Sequence, residues 1–393
     1  MRREIYADHA ATTRTAPEVL EVMRPYFEAG FGNPSSVHRR GEAAHDAIET
    51  ARVRVARLIG AAPEELVFTA SGSEANNLAL EGVLDAAPVE RRRLVVSTIE
   101  HPSVLETARH LEGRGFAVTR VPVGSDGVLD VARLEAALGP DVALVSVMLA
   151  NNETGVLQPL AEIAPAVHAA GARLHSDAVQ AVGKLAVDVA ALGIDLLTLA
   201  GHKFHGPPGA AALFVRRRTR LAPLIHGGQQ ERGRRAGTEN LPAIVGLGVA
   251  AERAVANLQG GAALEWGAAG ERLLAGLERL RGVRLNGHRT RRLATLVNVG
   301  FAGVDGEAVL HELDQAGITV STGSACSAAS AGPSHVLLAM GLSAEEAHAS
   351  VRFSLGAQNS PPDVDDILAA LPPILARLRM LAEGPERPQR ASA

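Results

Sequence analysis

The sequence predicts an α/β protein with a mostly parallel sheet in a large domain and a smaller α+β domain. At 393 residues the chain is long enough for a large domain and a second one. Its composition, 47% hydrophobic and 21% charged, is typical of a folded globular protein. Short β-branched runs alternate with helical patterns along the chain. Because parallel strands need long crossover connections, this alternation favours a parallel sheet covered by helices on both faces.

The alternating part of the chain begins with an apolar rhythm of about 3.6 residues across Val37–Leu58, which predicts a helix. A strand pattern at Leu66–Thr69 and a helical pattern at Ser73–Leu84 follow. Further predicted strands lie at Leu94–Thr98, Val118–Val123, Val142–Leu149, Arg173–His175, Leu196–Leu199 and Ala212–Val215.

The pattern changes after Asn240, where a long helical region, Leu241–Leu280, is interrupted by Gly260 and Gly261. We therefore place the domain boundary near residue 255, with residues 14–255 in the large domain, residues 1–13 and 256–382 in the small one, and residues 383–393 in a disordered tail. The small domain is predicted to contain strands at Thr295–Phe301 and Val351–Leu355 and helices at Glu307–Ala316, His335–Met340 and Val364–Leu381.

Charge and cysteine content exclude several classes of protein. A net charge of −4 argues against a dedicated nucleic-acid binder, which is normally basic. The sequence shows no signal-peptide pattern near its start and no apolar stretch that we expect to cross a membrane, so we expect no membrane partner. With one cysteine, Cys326, neither an intramolecular disulfide nor a zinc site with several cysteines can form, which favours a reducing cytoplasm.

Lysine is almost absent from the chain, which narrows the search for an amine nucleophile. Among the 39 Lys+Arg residues only Lys184 and Lys203 are lysines, and the guanidinium of arginine does not lose its proton in proteins. Lys203 lies in a glycine-rich loop that follows a predicted strand, where its amine can form an imine. Lys184 has no converging partners in the sequence, and we expect it at the surface.

Two further segments have the composition of ligand-binding turns. Ser71–Glu74 joins a strand to a helix, so it predicts either an anion site at the helix N-terminus or a plain serine N-cap. Asp177 follows a strand, where it could bind a protonated ring nitrogen or cap the next turn. An anion site, a carboxylate and a lysine are together what pyridoxal phosphate needs.

The ordered motifs of the chain resemble those of cysteine desulfurases in the class V pyridoxal-phosphate-dependent aminotransferase family. The resemblance covers nearly the whole chain, and it implies the type I fold of these transferases with pyridoxal phosphate as cofactor. The motifs that carry it are YADHAATT (6–13), GNPSSVH (32–38), EHP (100–102), NNETG (151–155), HSDAVQ (175–180), GHK (201–203), HGGQQERGRRAGT (226–238), SAC (324–326) and VRFS (351–354).

The resemblance implies a role for each matching residue. Lys203 matches the lysine that bonds to the cofactor and later moves protons at the substrate α-carbon, Asp177 the partner of the pyridine nitrogen, Gln180 the residue near the phenolic oxygen, and His101 the imidazole stacked on the ring. Gly72, Ser73 and His202 match residues that hold the phosphate, and Thr238 matches one that completes the phosphate site of a neighbouring subunit, which implies a homodimer.

Two more residues match groups that orient the cofactor and the substrate carboxylate. These are Asn152 and Arg352, and the planar fork of an arginine suits bidentate binding of a carboxylate. Alternatives from the residues alone are a turn residue for Asn152, a strand-edge charge for Arg352 and a packed core histidine for His101.

Cys326 lies among small residues, in Ser321–Pro333, a composition that predicts an exposed mobile loop. A buried apolar cysteine is the alternative. The length and small-residue content of the loop resemble the branch of desulfurases that supplies iron–sulfur assembly. The resemblance implies that Cys326 takes sulfur from L-cysteine as a persulfide, leaving L-alanine, and passes it to an acceptor or scaffold protein. We predict no metal site, although a shared iron–sulfur ligand remains open for Cys326.

The chain departs from the family pattern in two segments that would bind the cofactor phosphate. Ala200 stands where many relatives have a serine that binds the phosphate, and Ser71–Ser73 also differs from the common sequence, which predicts weaker phosphate anchoring. A lyase acting on selenocysteine, a plain aminotransferase of the same family and a poorly active assembly scaffold remain alternatives to the desulfurase.

Overall fold

The computed structural model describes residues 4–322 and 332–383. Twelve α-helices are described within these ranges: α1 Pro17–Met23, α2 Arg39–Leu58, α3 Gly72–Ala86, α4 Pro102–Gly113, α5 Val131–Ala137, α6 Leu160–Ala169, α7 Leu241–Gln259, α8 Ala262–Leu277, α9 Gly306–Gln315, α10 His335–Ala339, α11 Ala344–His348 and α12 Pro361–Glu383. The strands in the same ranges are β1 Ile5–Tyr6, β2 Leu66–Thr69, β3 Arg93–Ser97, β4 Ala117–Val121, β5 Val142–Ser146, β6 Arg173–Asp177, β7 Leu196–Ala200, β8 Ala211–Val215, β9 Val283–Leu285, β10 Leu296–Phe301, β11 Ile318–Thr319, β12 Ser321–Thr322 and β13 Ser350–Ser354.

The larger sheet has seven strands in the order β2-β8-β7-β6-β5-β3-β4. Strands β7, β6, β5, β3 and β4 pair in parallel, whereas β8 runs antiparallel to both β2 and β7. The predicted mostly parallel sheet is therefore confirmed. Since β2 is antiparallel to β8, it runs in the same direction as β7, and the carboxyl ends of β2, β3, β5, β6 and β7 all face one edge.

Both faces of this sheet are buried. In β3, Val95 belongs to one hydrophobic cluster, whereas its neighbours Leu94 and Val96 belong to another. Leu144 and Val145 of β5 divide between the same two clusters. Because successive side chains of a strand point to opposite faces, the two clusters lie on opposite sides of the sheet, as expected for a parallel sheet covered by helices.

A second core surrounds the antiparallel sheet β12-β13-β10-β9 and the parallel pair β1-β11. Its members come from the N-terminal strand and from the C-terminal third of the chain, for example Ile5, Phe301 and Phe353. Helix α12 continues through Glu383, one residue into the predicted tail. The predicted domain limits themselves stay a prediction, although the break between α7 and α8 falls at Gly260 and Gly261.

Helix α7 differs from the expectation that no segment is apolar enough to cross a membrane. Within residues 4–322 and 332–383, it is the one helix that meets the length and hydropathy of a membrane span, with 19 residues and a mean hydropathy of 1.3. Of that stretch, 56% is buried inside the fold, and ten of its residues belong to the buried face of the helix.

Two helices begin at the carboxyl edge of the large sheet. Helix α3 is capped by Ser71, whose Oγ accepts a hydrogen bond of 3.1 Å from the Glu74 amide. Helix α4 is capped by His101 and has Pro102 at its first position, where no amide hydrogen is needed. Both N-termini therefore direct their first backbone amides toward the space above the strand ends.

Candidate active site

A cavity of about 270 Å³ lies at the carboxyl edge of the large sheet. Parallel α/β sheets commonly bind their ligands at this edge. Nine of the residues predicted for the site line this one cavity: Gly72, Ser73, His101, Asn152, Asp177, Gln180, His202, Lys203 and Arg352. The tertiary structure thus brings together residues that are up to 280 positions apart in the sequence.

Lys203 ends a short 3₁₀ turn that follows strand β7. Its half-buried Nζ donates hydrogen bonds to two backbone carbonyls of the N-terminal segment, Ala10 O at 2.6 Å and Ala11 O at 2.7 Å. These carbonyls hold the amine at the cavity wall. The predicted location after a strand is confirmed, and the amine is placed to meet an aldehyde in the cavity.

The first turn of α3 forms one end of the cavity. A Cβ atom added to Gly72 would lie 3.1 Å from Val179 Cγ2, so a side chain here would crowd the wall. Ala200 also faces this position, with its Cβ 3.6 Å from the same point. The Ser71 cap is observed, and it coexists with an N-terminus that is open to the cavity. Cap and anion site are therefore compatible interpretations of this turn.

His202 borders the same end of the cavity and is half-buried. Its Nδ1 lies 3.1 Å from Thr12 Oγ1. Burial, together with the positive charges of Lys203 and Lys184, lowers the pKa of His202 to about 4. The imidazole is therefore neutral near pH 7 and can offer a hydrogen bond to an anion, but no charge.

Asp177 is the last residue of β6 and is buried. Its Oδ1 accepts from the Val179 amide at 3.0 Å, and its Oδ2 accepts from Asn76 Nδ2 at 2.8 Å. The sequence predicted the first type of contact as a turn cap, but it gave no indication of Asn76. Asn76 lies one turn beyond Ser73 in α3, and this position in the GSEANN segment is the signal that could have pointed to it.

His101 lies at the opposite wall, with its Nδ1 3.1 Å from the Ser103 amide and 2.8 Å from Ser103 Oγ. Since an amide can only donate, Nδ1 is the unprotonated nitrogen and accepts this hydrogen bond. Burial lowers the pKa of His101, and the charge of Asp177 partly offsets this shift. His101 therefore caps α4 and also lines the cavity, so packing in the fold and a role in the site are compatible interpretations.

Arg352 lies in β13 and is 1% exposed. Its Nη2 binds Asp8 Oδ1 at 2.7 Å, and its Nη1 donates to the backbone carbonyl of Asn152 at 2.8 Å. This burial is incompatible with a strand-edge charge. Asp8 was missed by the sequence analysis, because only the fold brings residue 8 to residue 352.

The position of Lys184 corrects the expectation of a surface residue. The side chain is half-buried, and its Nζ donates a hydrogen bond of 3.0 Å to Oε1 of Gln180. Burial, together with the positive charges of Lys203 and Arg352, lowers the pKa of Lys184 to about 7. The expectation was wrong because Gly183, with a φ of +81°, and Lys184 line a small cavity together with Lys203, and only the fold brings these residues together.

Two predicted residues do not line the cavity. Thr238 is exposed, although Arg235, three residues earlier, pairs with Glu74 of α3 at 2.8 Å. Cys326 lies outside the described residues, and so do residues 323–331 of the predicted loop. The prediction of an exposed loop was wrong for its first two residues, because Ser321–Thr322 form strand β12 and pair with β13. The candidate role of Cys326 as an iron–sulfur ligand is likewise untested, and no cluster of metal-ligating side chains is found in the described ranges.

The cavity fits a phosphorylated pyridine aldehyde by its donors and acceptors. It joins an amine, a buried carboxylate and an open helix N-terminus. Among the described residues that line this cavity, three buried polar atoms have no hydrogen-bond partner, namely Asn76 Oδ1, Asn152 Oδ1 and Arg352 Nε. Because buried polar atoms are nearly always satisfied, these atoms point to a bound polar molecule.

Comparison with known proteins assigns the chain to a family. The model of the class-V aminotransferases matches residues 5–367. The chain belongs to this family. Cysteine desulfurase IscS of Dictyoglomus turgidum is 43% identical over 390 residues, which is 97% of this chain and 97% of that protein. The class-V family and its cysteine desulfurases use pyridoxal phosphate, so the predicted resemblance and cofactor are confirmed.

Solved structures of class-V relatives confirm the fold. A structure titled NifS-like protein superposes with a TM-score of 0.88 and 36% identity, covering 96% of this chain and 99% of the other. A structure of SspA in complex with cysteine gives a TM-score of 0.79 and 38% identity, covering 89% of this chain and 98% of the other. The predicted type I transferase fold is thereby confirmed.

Proposed function

We propose that this class-V enzyme is a cysteine desulfurase, which converts L-cysteine to L-alanine and carries the released sulfur as a persulfide on Cys326. The observation that carries the proposal is the convergence of Lys203, Asp177 and Arg352 on one cavity. The cavity has an amine for the aldehyde, a carboxylate for the ring nitrogen and a guanidinium for the carboxylate of an amino acid.

Both ends of the segment that contains Cys326 lie beside this cavity. On one side, Ser321 pairs with Arg352 in the β12-β13 register. On the other side, Ser334 donates to Glu153, next to Asn152, and His335 Nε2 lies 3.0 Å from the carbonyl of Glu100. These flanking contacts support the proposal that Cys326 acts at this site, as a desulfurase requires and a plain aminotransferase does not.

Pyridoxal phosphate supplies an electron-withdrawing ring that labilises the bonds at the α-carbon of an amino acid. The side chains of the cavity would hold this cofactor in place. Asp177, held by Asn76 and by the Val179 amide, would bind the ring nitrogen. The α3 N-terminus and the neutral His202 bind the phosphate, while His101 covers one face of the ring.

Lys203 and Arg352 act on the substrate. Arg352 Nε has no partner within the described ranges and is free to donate to the cysteine carboxylate, with the Asn152 side chain beside it. The Lys203 amine, once replaced by the substrate amine, takes a proton from the α-carbon and returns protons to form alanine. The two carbonyls of Ala10 and Ala11 hold that amine in place.

Sulfur transfer needs the Cys326 thiol as its thiolate, which attacks the sulfur of the bound cysteine. The carbon–sulfur bond of the substrate breaks, a sulfur–sulfur bond forms, and the electron pair of the broken bond remains with the carbon fragment. That fragment takes up protons and leaves as alanine. The transferred sulfur is oxidised and the β-carbon is reduced, so the step needs no external oxidant.

The remaining partners are proposals that extend the same function. The persulfide passes to an acceptor or scaffold protein for iron–sulfur assembly in the cytoplasm, as the small-residue segment around Cys326 suggests. The enzyme acts as a homodimer in which Thr238 completes the phosphate site of the neighbouring subunit. The exposure of Thr238 and the Arg235–Glu74 pair near the α3 N-terminus support this placement.

One assay tests the proposed activity. The purified protein is mixed with L-cysteine with and without reductant, and alanine, sulfide and protein persulfide are quantified together with the cofactor spectrum. A desulfurase yields equal alanine and sulfide with reductant, and one added sulfur per Cys326 peptide without it. Alanine formation only from a keto-acid acceptor, turnover only with selenocysteine, or no turnover at all would contradict the proposal.

Light scattering at assay concentration tests the homodimer. An active monomer would refute the shared site. A mixture of Thr238→Ala and Lys203→Ala proteins offers a second test, because a mixed dimer regains one intact site only if Thr238 acts across the interface.

A further inference from the structure

The two lysines of the chain are joined by hydrogen bonds through a single glutamine. Lys203 Nζ and Gln180 Nε2 both donate to the carbonyl oxygen of Ala10, at 2.6 and 2.9 Å. Gln180 Oε1 in turn accepts from Lys184 Nζ at 3.0 Å. The line of contacts therefore runs from Lys203 through the Ala10 carbonyl and the Gln180 amide to Lys184.

The orientation of the Gln180 amide follows from its two partners. An ammonium group can only donate and a carbonyl oxygen can only accept, so Oε1 faces Lys184 and Nε2 faces Ala10. Gln180 is 4% exposed, and a buried Oε1 without Lys184 would be left unsatisfied. Lys184 therefore stabilises the amide orientation in which Gln180 Nε2 donates to the Ala10 carbonyl, the oxygen that Lys203 Nζ also contacts.

Lys184 and Lys203 also both line a second, smaller cavity of about 20 Å³. The other titratable groups that line it are His9, His205 and Arg253, and none of the lining residues is a carboxylate. Arg352 adds a further positive charge near Lys184. Lys184 has no ion pair within residues 4–322 and 332–383, so its charge is not neutralised by a nearby acid.

We propose that Lys184 is a positioning residue for Lys203, which fixes the Gln180 amide and, as a neighbouring like charge, promotes loss of a proton from the Lys203 amine. The proposal rests on the proposed function, in which Lys203 bonds to the cofactor. Two neighbouring positive charges lower each other's pKa. The charge of Lys203 contributes to the lowered pKa of Lys184, which supports this mutual effect.

The composition agrees with this assignment. Only two of the 39 Lys+Arg residues are lysines, and both belong to the same line of contacts. A guanidinium is a larger planar fork, whereas the compact amine of a lysine fits a narrow site such as the one that Lys184 occupies next to Gln180.

Lysine-selective NMR tests the proposal on the full-length holoenzyme. With [ε-¹³C]lysine the wild type shows two lysine resonances, which are followed from pH 5.5 to 10.5 together with the cofactor absorbance. We compare Lys184→Met, which removes the amine, with Arg253→Met. Arg253 lines the same small cavity, but its Nε pairs with Glu18 at 2.7 Å and it does not contact Gln180.

We expect the Lys184 resonance of the wild type to titrate near pH 7, well below the value of about 10.4 for a free lysine. While Lys184 is protonated, below about pH 7, its charge should favour loss of the proton from the Lys203 nitrogen. Lys184→Met should therefore raise the midpoint of a Lys203 or absorbance titration in this range by about one pH unit, and Arg253→Met by much less. Equal midpoints in the wild type and Lys184→Met, or a Lys184 midpoint near 10, would overturn the proposal.

If the proposed function fails, the NMR and absorbance measurements give a different result from a failure of the Lys184 proposal. A Lys203 without cofactor would give a free-amine resonance and no visible absorbance, and its midpoint would still report the effect of Lys184. If Lys184→Met does not fold by circular dichroism, Lys184→Gln provides a neutral variant of similar length for the same comparison with the wild type.

Discussion

Asn76 Nδ2 donates a hydrogen bond of 2.8 Å to Asp177 Oδ2, which links the second turn of α3 to the end of β6. The same Nδ2 also donates to Ser103 Oγ at 2.9 Å, and Ser103 Oγ contacts His101 Nδ1. One asparagine side chain thus contacts Asp177 directly and His101 through Ser103, the two residues that we propose to bind the cofactor ring.

Asn76→Ala should weaken cofactor binding by about 10- to 100-fold, because it removes a hydrogen bond to a charged carboxylate, worth about 1.5–3 kcal/mol. The rate of cofactor loss on dialysis measures the effect. Asn77→Ala is the matched control, since Asn77 Nδ2 donates to the Ser73 carbonyl within the same helix. Equal rates in both variants would show that Asn76 does not act on the site.

Lys203→Ala should abolish the yellow species that borohydride reduces, because the chain loses the amine that binds the aldehyde. Mass spectrometry of the wild type after reduction should place the pyridoxyl adduct on the peptide that contains Lys203. Lys184→Met should retain the adduct with a shifted pH profile. An adduct that persists in Lys203→Ala would place the cofactor on another amine.

Cys326→Ser should retain the spectral change that cysteine induces and should lose persulfide and most alanine formation. The reason is that Lys203 and the cofactor act at the α-carbon, whereas sulfur needs a thiolate acceptor. Mass spectrometry after cysteine without reductant measures the added sulfur. Full alanine production by Cys326→Ser would mean that the thiol is structural.

Ala200→Ser should slow cofactor loss, because a hydroxyl at this position would lie beside the helix N-terminus at Gly72. A hydrogen bond to a charged phosphate is worth about 1.5–3 kcal/mol, which corresponds to roughly a 10-fold slower release or more. Ala200→Gly is the control that changes volume and adds no donor. Unchanged release from Ala200→Ser would show that this end already satisfies the phosphate.

We expect the free energy of unfolding to fall with rising pH because of the buried carboxyl group of Glu100. Burial raises the pKa of Glu100 from 4.5 to about 8, so the folded state retains a proton that the unfolded state has lost between these values. The free energy of unfolding therefore falls with rising pH across this window, by up to about 1.4 kcal/mol per pH unit for this group.

Denaturant unfolding between pH 5 and 9 tests this dependence. Glu100→Gln, which cannot ionise, should flatten the decline relative to the wild type. Glu106→Gln removes an exposed carboxylate of the neighbouring helix and should leave the slope unchanged. A wild-type curve parallel to that of Glu100→Gln would contradict the prediction.

Local patterns in the sequence predicted the long elements well. The strand at Leu196–Leu199 and the helix at Ser73–Leu84 are observed as β7 and α3, each within a residue or two of its predicted limits. Strands β9, β11 and β12 were not predicted, because two or three residues are too short to show a period of two. The predicted strand Val142–Leu149 ends earlier, at Ser146, where the chain begins to line the site.

The sequence by itself determined which residues could carry the chemistry, because only two lysines and one cysteine exist and ordered motifs surround them. The tertiary structure decided how those residues act together. The contacts of Lys184 with Gln180, Asn76 with Asp177 and Arg352 with Asp8 join residues by hydrogen bonds, two of them between distant segments. Local periodicity carries no information about contacts formed when distant segments pack, so only the fold could show them.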